Sequence, residues 1–234
     1  MKEYILLNNE LMRRENGFYQ LEKDKEAVVS FQKEVDDKMM TFQTIEERFN
    51  WLIQNDYYVD FLEQYSVEFI TKLTKLVESF NFQFQSYSAI SKFYQSYALK
   101  TNDKKRYLER YEDRIVAVAL FLSRGNEKQA IELATALIKQ EYQSATPTFQ
   151  NAGKKRGGEM VSCFLISMDD TLNSINHNLN VAGQLSKIGG GVAIDLSNLR
   201  GRNEAIKGVE NSASGVLPVL KLMEDTFSYV NQLG

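Results

Sequence analysis

Apolar residues recur every three or four positions through the first part of the chain, which is the spacing of amphipathic helices. One helix is predicted directly after Ser66, and its apolar face comprises Phe69, Leu73, Leu76, Val77 and Phe80. A second helix is predicted over residues 106–122, with a stripe that comprises Tyr107, Leu108, Tyr111, Ile115, Val118 and Leu122. The first part of the chain is therefore predicted to be mainly helical.

Start signals for helices agree with this pattern. Thr44 and Glu47 have the spacing of a capping box, and Asn126 is a predicted N-cap for a helix that runs to about Tyr142. Glycine and proline usage agrees as well, because residues 1–124 hold one of the 13 glycines and neither proline.

Beyond residue 157 the pattern changes to short, continuous apolar runs. The run at 158–168 is predicted to form a buried strand with Cys163 at its middle, and the run at 192–199 a second buried strand. A helix from 169–171 to about Lys187 is predicted between them, ended by the glycines at 189–191.

A further helix is predicted from about Ser214 to Leu233, with Pro218 in its first turn. The order strand, helix, strand, helix predicts a parallel sheet or barrel. Two strands leave buried backbone groups unpaired, so this domain is expected to need more sequence or a partner chain to complete it.

Composition narrows the function classes. Hydrophobic residues make up 43%, charged residues 25%, and the net charge of −3 does not indicate a nucleic-acid-binding surface. No apolar run has the length of a membrane span, and the N-terminus lacks the pattern of a secretory signal, so a cytoplasmic location is expected. The single Cys163 and the single His177 exclude an internal disulfide and a Cys- or His-cluster metal site.

Several residues have both a structural and a functional interpretation. Cys163 fits a small buried hydrophobic residue or a thiol at a crevice. The turn at 144–148 and the glycines at 189–191 fit ordinary turns, or backbone that approaches a phosphate or another ligand closely. Asp170 fits a helix cap, and His177 lies on a polar helix face and is not predicted to be catalytic.

The basic residues fit ordinary solvated positions as well. Lys154, Lys155 and Arg156 are expected to form a solvated loop, and Arg200 a solvated side chain in a polar loop. The triple glycine is not a dinucleotide fingerprint, because it follows a helix and precedes a strand.

Taken together, these segments resemble the large (alpha) subunit of class Ib ribonucleotide reductases. The segments are LEKDKEAV (21–28), ALKTNDKKRYLERYEDRI (98–115), QEYQSATPTFQNAGKKRGGEMVSCFL (140–165), QLSKIGGGVAIDLSNLRGRNEAIKGVENSASGV (184–216) and MEDTFSYVNQLG (223–234). The resemblance covers nearly the whole chain and corresponds to the first third of such a subunit. It implies a truncated helical domain at 1–85, a helical part at 86–145 and the start of a ten-stranded α/β barrel, left incomplete, at 146–234.

The resemblance also implies site residues. Cys163 would be one of two redox cysteines that reduce the 2′ carbon of a ribonucleoside diphosphate. Thr146 and Ser162 would contact the substrate, which the backbone of Gly190 and Gly191 would approach closely.

Asp170 and Arg200 would belong to a specificity site for a dNTP or ATP effector at a homodimer interface. No cofactor or metal is implied in this chain, because a metal-containing small (beta) subunit would supply the radical. A thioredoxin- or glutaredoxin-like protein would be the reductant, and neither nucleic acid nor a membrane is an implied partner.

The chain departs from the family pattern in lacking the radical cysteine and the second redox cysteine. The chain alone is therefore expected to have no reductase activity. The predicted function is part of a ribonucleoside-diphosphate reductase large subunit. The alternatives are a non-catalytic nucleotide-binding and dimerisation fragment, or a split-gene remnant.

Overall fold

The computed structural model describes residues 1–230, in two compact units, Met1–Gly157 and Gly158 onward. The helices and short strands of the first unit are α1 (Glu3–Leu11), β1 (Arg14–Glu15), β2 (Phe18–Tyr19), α2 (Glu22–Lys38), α3 (Ile45–Gln54), α4 (Val67–Glu78), α5 (Tyr87–Ser96), α6 (Tyr111–Ser123), α7 (Glu127–Ile138) and α8 (Thr146–Asn151). Those of the second unit are β3 (Cys163–Ser167), α9 (Leu172–Lys187), β4 (Gly191–Asp195) and α10 (Leu217–Val230).

The first unit is built around α6. Every side chain from Arg114 to Leu120 is buried, so this helix is enclosed on all sides and does not present a single apolar stripe. Packed against it are α4, α7 and α8. The central place of α6 explains why the polar residue Arg114 needs partners inside the core.

The predicted helix starts at Ser66, Thr44 and Asn126 are confirmed. Each side chain accepts a hydrogen bond from the backbone N–H three residues further on. The capping box is only half formed, because the Glu47 carboxylate accepts from the amide of Gln43 rather than from that of Thr44.

The helix predicted over 106–122 begins later, at Tyr111. The backbone of Tyr107 is used elsewhere: its N–H donates to the Lys38 carbonyl at 3.1 Å, and its carbonyl accepts from Met40 N–H at 2.9 Å. The helix predicted to reach Tyr142 ends at Ile138, and Gln140 adopts a left-handed conformation with φ of 59°.

The segment after α8 is joined to the segment after α3. Val59 N–H donates to the Gly153 carbonyl, and Lys155 N–H donates to the Tyr57 carbonyl, both at 3.0 Å. Tyr58 and Lys154 form the bridge between these two bonds. This junction, which we call the 57–59/153–155 clasp, ties the C-terminal end of the first unit to its interior.

In the second unit, β3 and β4 pair in parallel, as predicted, in a register that runs from Cys163 opposite Gly191 to Ser167 opposite Asp195. Both strands are shorter than predicted, and they are not buried: exposed and half-buried residues alternate along each, and Leu165 is 82% exposed. The prediction of buried strands was wrong because nothing among the described residues covers these faces.

The helices of the second unit follow the prediction more closely. α9 ends at Lys187 as predicted, and its N-cap is Thr171. α10 begins at Leu217 rather than Ser214, with Pro218 in its first turn, and the predicted end at Leu233 lies outside the described residues. Over residues 1–230, no helix combines the length and apolar character needed to span a bilayer.

Candidate functional site

Cys163 is an exposed free thiol at the first position of β3. Its sulfur lies 3.6 Å from the hydroxyl oxygen of Ser162, and its register partner is Gly191, whose N–H donates to the Ser162 carbonyl at 2.6 Å. The interpretation of Cys163 as a buried hydrophobic residue in mid-strand was therefore wrong. The second unit instead presents a thiol, a hydroxyl and a glycine backbone side by side.

The glycines at 189–191 form the corner between α9 and β4. Gly189 has a φ of 88°, which favours glycine, so the predicted tight turn is confirmed. A Cβ at Gly190 would lie 2.2 Å from the Phe164 ring, so packing within the protein already requires glycine there. A Cβ at Gly191 would lie 3.2 Å from the Ser162 carbonyl.

A cavity of about 510 Å³ opens beside this corner. It is lined by Ser186, Gly189, Gly190, Gly191, Val192, Glu224, Phe227 and Ser228. The backbone of Gly190 and Gly191 is thus accessible from a space large enough to hold part of a small molecule.

Asp170 and Arg200 form an ion pair, with Arg200 Nε donating to Asp170 Oδ2 at 2.5 Å. Both side chains are about one-third exposed, and Arg200 also donates to the Ala205 carbonyl at 3.4 Å. Asp170 is not the helix cap, because Thr171 accepts the N–H of Ser174 instead. Arg200 is likewise not merely solvated, and the two residues predicted for the effector site are in direct contact.

Thr146 is the first residue of α8, in the first unit, and its hydroxyl lies 3.2 Å from that of Tyr97. Both residues line a cavity of about 420 Å³ whose walls combine aromatic rings with polar side chains. Ser144 lines the same cavity, and its hydroxyl is buried with no hydrogen-bond partner.

Lys154 is half-buried, contrary to the predicted solvated loop, and donates to the Tyr97 carbonyl at 2.8 Å. Burial lowers the pKa of Lys154 to about 8, although the Glu109 carboxylate partly opposes this shift. Its neighbours Lys155 and Arg156 are exposed, and Arg156 pairs with Asp56 at 3.5 Å. The sequence did not single out Tyr97 and placed Lys154 in a solvated loop, since each residue acts through tertiary contacts that no local spacing indicates.

The structure thus assembles the predicted residues in separate groups. Ser162, Cys163, Gly190 and Gly191 lie in one part of the second unit, Asp170 and Arg200 form a pair, and Thr146 belongs to the first unit. His177 is exposed on α9. In the described part of the chain, no three His, Cys, Asp or Glu side chains are grouped so as to hold a metal ion.

Three family models match the chain in succession. They are the ribonucleotide reductase N-terminal model over residues 4–82, the all-alpha domain over 83–157 and the barrel domain over 161–234. The chain belongs to the ribonucleotide reductase family. The fold agrees with this assignment, since a helical unit precedes a parallel strand pair from the start of the barrel domain.

Curated members of the reductase family align with 90% or more of the chain. The NrdEB subunit alpha of ribonucleoside-diphosphate reductase from Bacillus subtilis (strain 168) is 49% identical over 233 residues, which are 99% of this chain and 22% of that protein. A second subunit alpha from the same bacterium is 48% identical over 234 residues, 99% of this chain and 33% of that protein. The subunit alpha from Mycoplasma genitalium is 46% identical over 213 residues, 90% of this chain and 30% of that protein. The chain therefore spans between 22% and 33% of the length of these relatives.

Proposed function

We propose that this chain is the N-terminal part of a class Ib ribonucleoside-diphosphate reductase large subunit. The complete subunit would reduce ribonucleoside diphosphates to deoxyribonucleoside diphosphates by radical chemistry. The observation that carries the proposal is the exposed Cys163 thiol beside Ser162 and opposite Gly191, in a chain of this family.

In this proposal Cys163 is one of two redox cysteines. Together the two thiols supply two electrons and two protons: the 2′ hydroxyl of the ribose leaves as water, a C–H bond replaces the C–O bond at the 2′ carbon, and the two sulfurs end as a disulfide. The second cysteine lies outside this sequence. Thr146 and Ser162 contact the nucleoside diphosphate, and the Gly190 and Gly191 backbone approaches it. The glycine corner supports this role, because its backbone faces a cavity of about 510 Å³.

Asp170 and Arg200 would form part of the specificity site for a dNTP or ATP effector. Their ion pair at 2.5 Å supports a shared site. Because Asp170 accepts from the Nε of Arg200 and the Ala205 carbonyl accepts from its Nη1, the guanidinium is oriented, and Nη2 is the nitrogen left to face a phosphate.

The proposed function also implies three partner proteins. A metal-containing small (beta) subunit would supply the radical, a second copy of the subunit would form the allosteric dimer, and a thioredoxin- or glutaredoxin-like protein would reduce the disulfide. The cytoplasmic location and the domain boundaries at residues 85 and 145 stay predictions.

A non-catalytic role in nucleotide binding and dimerisation is the second candidate. It is favoured by the Asp170–Arg200 pair, which forms within the second unit and involves no cysteine. On this alternative, effector binding survives without any reduction chemistry.

One experiment separates the two. Cys163→Ser is introduced into the complete alpha subunit that carries this sequence, and deoxynucleotide formation is assayed with the small subunit and a dithiol reductant. We expect product formation to be lost while calorimetric dTTP binding is retained. Asp170→Ala is the matched control, because it should weaken dTTP binding and leave Cys163 in place. Normal turnover by Cys163→Ser would contradict the catalytic proposal, and dTTP binding unaffected by Asp170→Ala would contradict the effector site.

A further inference from the structure

The C-terminal end of α5 is fastened to α8 and the residues that follow it. Gln150 Nε2 donates to the Ser96 carbonyl at 3.0 Å, and Lys154 Nζ donates to the Tyr97 carbonyl at 2.8 Å. These two bonds fix the backbone of Tyr97 relative to α8 from two directions.

The ring of Tyr97 is held as firmly as its backbone. It lies parallel to the Phe93 ring at an angle of 5° with centroids 6.5 Å apart, and it meets the Phe149 ring edge-on at 5.8 Å. Phe93 and Phe149 are themselves buried. The Tyr97 hydroxyl therefore has a fixed place, 3.2 Å from that of Thr146.

The direction of this hydrogen bond decides what Thr146 can do. A hydroxyl has one proton to donate, whereas phosphate oxygens that bear charge only accept. Thr146 can therefore donate to a phosphate only if its proton is not already given to Tyr97. A hydroxyl that accepts one hydrogen bond is also polarised into a stronger donor for the next.

We propose that Tyr97 is a positioning residue, whose phenol donates to Thr146 Oγ1 and so directs the threonine proton to a phosphate oxygen of the nucleoside diphosphate. This inference rests on the proposed function, which assigns substrate contact to Thr146. Tyr97 itself does not touch the substrate. It fixes the orientation of the threonine hydroxyl before the substrate arrives, which lowers the entropy cost of binding.

The test uses the complete alpha subunit with its small subunit, and measures KM and kcat for a ribonucleoside diphosphate. Tyr97→Phe keeps the ring and removes only the phenol oxygen. We expect KM to rise about three- to tenfold, the value of one hydrogen bond, with kcat unchanged. In the Thr146→Val background, Tyr97→Phe should have no further effect, because the group it positions is gone.

Two further variants supply a control and a second test of the Thr146 hydroxyl. Tyr142→Phe is the matched control: its side chain is 48% exposed and lies four positions before Thr146, and its KM should equal that of the parent. Thr146→Ser keeps the hydroxyl and should retain the parental KM, a result that stays informative even if Tyr97→Phe does not fold. A KM for Thr146→Ser as high as that of Thr146→Val would overturn the inference, because the methyl group would then be what matters.

The outcomes also distinguish this inference from the proposed function. If Thr146→Val leaves KM unchanged, the substrate is not at Thr146, and both proposals about that residue fail. If Thr146→Val raises KM while Tyr97→Phe behaves like Tyr142→Phe, only the positioning role of Tyr97 is overturned. A fall in kcat without a change in KM for Tyr97→Phe also contradicts it.

Discussion

Glu109 is a fully buried carboxylate that links three parts of the first unit. It accepts hydrogen bonds from the Tyr58 hydroxyl at 2.6 Å and from Leu99 N–H at 2.8 Å, and it lies 3.0 Å from Arg114 Nη1. Burial by itself raises the pKa of Glu109, but the charges of Arg114 and Lys154 and the Tyr58 hydrogen bond outweigh it, so its pKa is lowered. The residue therefore stays ionised at neutral pH and balances the buried guanidinium.

Removing the charge of Glu109 should lower the stability of the first unit. Glu109→Gln leaves Arg114 as an unpaired charge in the core, and we expect the free energy of unfolding to fall by about 3–5 kcal/mol. Urea denaturation followed by tryptophan fluorescence measures the change. Glu63→Gln, at an exposed position, is the control and should shift the free energy of unfolding by less than about 0.5 kcal/mol. Equal stability of the two variants would show that Arg114 does not depend on Glu109.

At the scale of elements, local patterns predicted where helices start more reliably than which faces are covered. Ser66, Thr44 and Asn126 cap helices because capping depends on residues within one turn. The strand at 163–167 was predicted to be buried because its residues are apolar, yet burial depends on a second surface that the strand's own sequence does not describe.

In the candidate site as well, features set by neighbouring residues were predictable from the sequence, and contacts between distant residues were not. The corner at 189–191 was predictable, because three consecutive glycines between a helix and a strand indicate a turn with close approaches. The register that sets Cys163 opposite Gly191, the Asp170–Arg200 ion pair and the contact of Tyr97 with Thr146 join residues between 28 and 49 positions apart, and no spacing rule links them.

The turn between α9 and β4 gives a prediction at this scale. Gly190→Ala introduces a Cβ at 2.2 Å from the Phe164 ring, so the ring must move and β3 should loosen. Hydrogen exchange of the amides at 163–167 is expected to become faster. Gly189→Ala is the control: its added Cβ meets no atom within 4 Å, so its strain is confined to its own φ of 88° and β3 exchange should stay as in the parent. Unchanged exchange in Gly190→Ala would mean that the ring is free to shift without cost to the strand.

At the scale of the whole molecule, the two units differ in how completely their apolar surfaces are covered. The first has a continuous core that extends from Tyr4 to Ala152. In the second, large apolar side chains are exposed at Leu165, Leu172, Leu217 and Tyr229, with exposed fractions between 69% and 88%. Few hydrophobic side chains of the second unit are buried; among its described residues these are Met168, Ala182, Ala213 and Met223. The second unit is therefore the part of the chain whose stability depends more on what surrounds it.

The 57–59/153–155 clasp determines where the chain can be truncated without loss of the stability of the first unit. A polypeptide of residues 1–157 keeps the clasp, the buried Phe149 ring and the Ala152 carbonyl that accepts a bond from Arg114. A polypeptide of residues 1–145 lacks the clasp, the Phe149 ring and the Ala152 carbonyl, and one side of α6 is then uncovered. We expect the longer polypeptide to melt in a single sharp transition by circular dichroism, and the shorter one to melt at a clearly lower temperature; identical melting curves would contradict this. The last twelve residues of the first unit would then decide its resistance to proteolysis: cleavage after residue 157 would leave a folded polypeptide, whereas cleavage before residue 146 would destabilise what remains.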